Sequence, residues 1–120
     1  MAHKFKDLQI WQKSRIFCSK IYEITSRFPE SEKFGLTNQL RRASVSIPSN
    51  IAEGSSRESD KDFSRFLQMT LGSAYEIETQ LLIANDLDLI DNSQLNELLN
   101  DLNIIIKMTS KFKSTLKLNR

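Results

Sequence analysis

The stretch Asn92–Leu116, NSQLNELLNDLNIIIKMTSKFKSTL, decides the fold. Leu95, Leu98, Leu102, Ile105, Thr109, Phe112 and Leu116 recur at intervals of 3, 4, 3, 4, 3 and 4. That is the seam of a helix whose one face stays turned towards other helices. A helix of this length cannot bury such a stripe against itself, so the rest of the chain must supply its neighbours.

Working outward from it, the preceding segment runs Phe63, Phe66, Leu67, Thr70, Ala74, Ile77, Leu81 and Ala84, again at helical spacing. Ser59 followed by Asp62 reads as its capping signature. Leu36, Leu40, Ala43, Ile47 and Ile51 form an earlier stripe that stops at Gly54, the expected residue just past the helix end. The first stripe is Ile10, Phe17, Ile21, Ile24 and Phe28, with Asp7 as the expected N-cap and Phe28-Pro29 as the stop. The predicted helices span about 8–27, 35–53, 60–86 and 92–116, within a single domain covering 1–120. Short links between long helices imply an all-α, antiparallel up-down-up-down four-helix bundle.

Composition agrees. Gly and Pro together number 3 + 2 = 5 of 120 residues, too few for the turns of an all-β fold. The lone Cys18 cannot form an internal disulfide. No apolar run approaches a membrane span, and the N-terminus lacks the apolar stretch of a signal peptide, so a cytoplasmic protein without membrane contact is expected.

Catalytic chemistry has no visible basis. The only histidine, His3, sits in the N-terminal tail, so no Ser-His-Asp or Cys-His pair has a base. One Cys and one His exclude a Cys/His zinc site within one chain. Glu-x-x-His and phosphate-loop motifs are missing. Neither an enzyme nor a cofactor is expected.

The second and third helices are apolar on too many sides. Val45, Pro48 and Ala52 fall opposite the core stripe of the second, beside Ser49. Met69, Gly72 and Ile83 project away from that of the third, while Leu71, Tyr75 and Leu82 widen it. Scattered apolar residues occur on any surface. A mid-helix glycine, however, costs about 1 kcal/mol relative to alanine, which calls for a packing reason. Val45, Pro48, Ser49, Ala52, Met69, Gly72 and Ile83 are therefore the candidate interface of a homo-oligomer.

Charge is more telling by position than by its sum of +2. Between Phe66 and Ile106 stand Glu76, Glu78, Asp86, Asp88, Asp91, Glu97 and Asp101, with no Lys or Arg. From Lys107 onward stand Lys107, Lys111, Lys113, Lys117 and Arg120, with no acid. An antiparallel bundle brings this tail to the same end as Lys4, Lys6, Arg57, Lys61 and Arg65, diluted by Asp7, Glu58, Asp60 and Asp62, and Arg41-Arg42 makes a second basic spot. Complementing the helix dipole accounts for part of the pattern. Contacts to RNA or DNA phosphates are the functional alternative. The candidate nucleic-acid residues are thus Arg41, Arg42, Arg57, Lys61, Arg65, Lys107, Lys111, Lys113 and Lys117. A further alternative is a scaffold that docks an unidentified protein.

Several segments together carry a family resemblance: LQIWQK (Leu8–Lys13), GLTNQLRRA (Gly35–Ala43), SIPSNIAEG (Ser46–Gly54), RFL (Arg65–Leu67), Gly72-Ser73 and EIETQL (Glu76–Leu81). The sequence resembles the bacterial four-helix-bundle family encoded in intervening sequences of 23S rRNA genes, also labelled S23 ribosomal proteins. It is similar, too, to the accessory variability protein of diversity-generating retroelements. The resemblance implies a bundle that assembles as a ring, typically a homopentamer. From the retroelement relative it implies binding of nucleic acid and a reverse transcriptase.

Overall fold

In a computed structural model, which describes residues 4–117, four α-helices follow one another: α1 Gln9–Thr25, α2 Leu36–Ser55, α3 Asp60–Asp86 and α4 Asn92–Ser114. Two short 3-10 turns, Phe5–Asp7 and Glu30–Glu32, precede α1 and α2. Each helix packs on its neighbours in sequence, and α4 closes the ring against α1. The α2–α3 pair is the most extensive of these contacts and α1–α4 the slightest. The result is the expected all-α antiparallel bundle, 49 Å long.

The α4 seam does what its spacing implies. Leu95, Leu98, Leu102, Ile105 and Thr109 are buried, and Phe112 and Leu116 pack on the same core. Asp91 and Gln94 form a reciprocal capping box at 2.7 and 2.9 Å, which satisfies two orphan donors at the N-terminus of α4. Ser59 caps α3 as expected, accepting from the Asp62 amide at 3.1 Å. α3 ends in a Schellman motif: the Leu89 amide bonds Ala84 O at 2.9 Å and the Asp88 amide bonds Asn85 O at 3.0 Å. Asp88 takes the left-handed position there, with φ 60°.

Two boundary expectations fail, each for a physical reason. Asp7 is not the N-cap of α1; it lies in the first 3-10 turn, and the extended Leu8 stands at the cap without a side-chain hydrogen bond. The Phe5 ring packs edge-on to Trp11 at 5.1 Å, and Gln12 donates to Lys6 O at 2.8 Å, so aromatic packing fixes this entry. At α2, Glu32 reaches forward from the second turn to accept from the Leu36 amide at 3.1 Å.

Gly54 is the second. It lies inside α2, buried, and no glycine has a positive φ. A Cβ at this position would stand 2.6 Å from Phe66 Cβ and 2.9 Å from Phe63 Cδ1. Its role is to let α2 and α3 approach closely, and α2 continues to Ser55.

Candidate functional site

The antiparallel topology gathers one set of cations. The Lys117 amide donates to Asp60 Oδ2 at 3.0 Å, and the Phe63 and Phe112 rings meet edge-on at 5.5 Å. These contacts place the start of α3 beside the end of α4. Arg57, Lys61, Arg65, Lys111, Lys113 and Lys117 therefore share one end, with Lys107 about one turn before Lys111 on α4. Arg41 and Arg42 lie in the second turn of α2, towards the opposite end, so the nine candidates form two separate groups.

Within the first group the cations differ in how far they are already engaged. Arg57 pairs with Glu53 at 2.9 Å and lies 4.7 Å over the Phe66 ring. Arg65 stands 3.5 Å from Asp62 and 5.9 Å from the same ring. Both are surface pairs of at most about 1 kcal/mol, so they orient the guanidinium groups more than they stabilise the fold. Lys61, Lys107 and Lys111 are exposed and Lys113 half-buried, and among the described residues no carboxylate pairs with any of the four. In the second group, Arg41 donates to Thr25 Oγ1 at 2.9 Å and to Tyr22 O at 3.4 Å, with its guanidinium 4.6 Å over the Tyr22 ring. It clasps α2 to α1, which leaves Arg42 as the free cation of that pair among the described residues.

The candidate interface lies on the outer surface of α2 and α3. Val45, Ser49, Met69, Gly72 and Ile83 are exposed, and Pro48 and Ala52 are half-buried. Nothing lies within 4 Å of where a Gly72 Cβ would be. No contact inside the protomer thus accounts for a glycine in mid-helix. Of the residues expected to widen the α3 core stripe, Leu71 is buried, but Tyr75 (55 % exposed) and Leu82 (43 %) join the outer face. Beneath this face the Ser46 and Ser73 hydroxyls pair at 2.6 Å, so the two helices meet through small residues.

Among the described residues no three His, Cys, Asp or Glu side chains are grouped to hold a metal. No helix there is long and apolar enough to cross a membrane. His3 and Arg120 lie outside the described residues. Cys18 is half-buried, 3.5 Å from Ser44 Oγ.

The family model described as 23S rRNA-intervening sequence protein matches residues 6–111. This chain belongs to that family. Among solved structures it is similar to a protein of unknown function from the S23 ribosomal protein family of Bacteroides thetaiotaomicron VPI-5482. The two are 28% identical with a TM-score of 0.79, over 88% of this chain and 99% of that one. No curated protein matches significantly.

In this member of the 23S rRNA-intervening sequence family, α1 adds cations that the sequence pattern did not single out. Lys13 and Arg15 are exposed, and Arg15 lies 5.4 Å over the Trp11 ring. Lys20 bonds Asp101 at 2.7 Å and Glu97 at 3.4 Å. Its ammonium pKa is raised above 10.5, chiefly by the hydrogen bond to Asp101 and against a partial desolvation. Within α1 the bases Lys13, Arg15 and Lys20 precede a single acid, Glu23, so the excess of positive charge is already present in the sequence. Setting α1 antiparallel to α4 was the step that would have revealed its basic edge.

Proposed function

We propose that this protein is a non-catalytic, self-assembling bundle, pentameric and cytoplasmic, that binds RNA through its basic end. One observation carries the reading: Lys61, Lys107, Lys111 and Lys113 stand without carboxylate partners among the described residues towards the end where α3 begins and α4 finishes, with Asp60 and Asp62 beside them, while the later acids of α3 and those of early α4 lie towards the other end. Phosphate contacts are sequence-tolerant and strengthen with each additional cation. A closed ring would repeat the basic end once per subunit, so weak individual sites would add by avidity. The apolar outer face of α2 and α3, with the bare Gly72, supports the self-assembly on which that avidity depends.

The test is binding of a labelled RNA hairpin across a salt series. Affinity should fall steeply, with a log–log slope of about −0.7 to −0.9 per phosphate contact. Lys111→Glu with Lys113→Glu should abolish binding while the bundle stays folded. An affinity that is flat between low and physiological salt would rule the RNA reading out. Self-assembly is tested separately: Ala52→Arg or Gly72→Arg should give protomer mass in light scattering with helicity retained. A wild-type protein that is monomeric at micromolar concentration would refute it.

A further inference from the structure

The seam between α1 and α4 lies across the bundle from the α2–α3 face, and it is incompletely closed. Its register is antiparallel: Lys20 meets Asp101, and Ile16 and Phe17 sit with Ile104 and Ile105. Ile16 is 62 % exposed and Ile104 41 %, above a floor formed by the buried Phe17 and Ile105. They border a cavity of about 130 Å³. Towards the basic end the same seam opens into a second depression of about 380 Å³, whose apolar walls are Leu8, Ile10, Met108 and Phe112.

The two depressions are centred near Ile104 and Lys111 on α4. Seven residues at the helical rise put them about 10 Å apart, the reach of two helical turns. Apolar side chains at i and i+7 of an incoming helix match that separation. The rim is cationic. Lys13 and Lys111 flank the groove without carboxylate partners among the described residues. The two acids at its far end, Asp101 and Glu97, are engaged by Lys20.

We propose that this seam docks an amphipathic helix of a partner protein, one with apolar anchors two turns apart and an acidic flank. Lys111 is common to this rim and to the RNA reading; the apolar Ile16 and Ile104, which offer no donors to bases or phosphates, are what distinguish the two. The lysine rim selects the acidic flank by charge complementarity. Because the groove faces away from the self-assembly surface, a bundle engaged there would keep it open, and each subunit of an assembly would carry one copy.

The probe is a synthetic fluorescent helical peptide with Leu at i, i+3 and i+7 and Glu on both flanks, titrated into the full-length protein. Amide shifts should be confined to residues 9–20 and 101–115. Ile16→Asp and Ile104→Asp should each weaken binding about tenfold or more, as should exchanging the peptide's Glu for Lys. RNA binding should be unchanged by Ile16→Asp, so failure here and failure of the RNA reading are distinguishable. Should Ile16→Asp fail to fold, Lys13→Glu carries the same test through the rim. Equal binding of the Glu and Lys peptides, or shifts elsewhere, would overturn the proposal. So would a drop in oligomeric mass on Ile16→Asp, which would assign the groove to a second copy. Ile16-dependent co-sedimentation with phosphatidylcholine–phosphatidylglycerol vesicles would assign it to a membrane instead.

Discussion

The α2–α3 and α1–α4 seams are closed by opposite means. Between α2 and α3, small residues let the backbones approach: Gly54 sits against Phe63 and Phe66, and Ser46 pairs with Ser73. Between α1 and α4, long side chains span the gap, with Lys20 reaching Asp101 and Glu97 above an apolar floor. A seam closed by glycine is rigid, because nothing can be added to it. One closed by lysine leaves volume, and volume is what a ligand or partner needs. Tight packing thus supports the inner side of the proposed self-assembly face, and loose packing supplies the groove opposite.

The contrast is broken most severely at Gly54. An alanine Cβ there would meet Phe66 Cβ at 2.6 Å, and neither a β-carbon nor the two helix backbones can yield cheaply. Overpacking of this kind costs typically about 1–3 kcal/mol. Gly54→Ala should therefore lower the chemical-denaturation midpoint substantially despite alanine's better helix propensity. A midpoint equal to or above the wild type would mean that the α2–α3 crossing is not held by this contact.

Gly72 sharpens the same comparison with the opposite sign. It lies in mid-α3, and a Cβ there would meet nothing within 4 Å. In a protomer kept from assembling by Ala52→Arg, adding Gly72→Ala should stabilise by about 0.5–1 kcal/mol, the ordinary helix-propensity gain. With Ala52 intact, the same substitution should weaken assembly if a neighbouring backbone approaches there. Thermal melts of the two backgrounds, read beside light scattering, separate these effects. A gain of equal size in both, with unchanged mass, would leave Gly72 without a packing role.

These two glycines also show what a sequence can and cannot disclose. The α4 stripe, the Ser59 cap and the order of four helices were legible because each depends on residues within a few positions of one another. Gly54 was not. A glycine after the last apolar residue of a stripe looks the same whether it ends the helix or admits another one. What distinguishes them is Phe66, twelve positions on, reached only by folding. The site divides likewise. That Lys61 and Lys111 share an end followed from topology alone. That Arg41 is tied to Thr25 and Tyr22 while Arg42 has no partner among the described residues required side-chain placement. The basic rim along α1 needed the antiparallel register with α4.

The smallest effect belongs to the ion pair that closes the open seam. Lys20 has its pKa raised above 10.5 in the folded protein, first by its hydrogen bond to Asp101. A folded value above the unfolded one means that the ammonium form is the one folding prefers. The resulting stability is complete below 10.5 and is lost as the pH rises through the raised folded value. The side chain is 39 % exposed, so solvent screening holds the contribution below about 1 kcal/mol. Comparing the wild type with Lys20→Met across this range cancels the titration of the other lysines and tyrosines. The stability difference should be constant at neutral pH and shrink once the pH passes 10.5, and added salt should reduce it. A difference that ignores both pH and salt would show that only the aliphatic stem of Lys20 closes the α1–α4 seam.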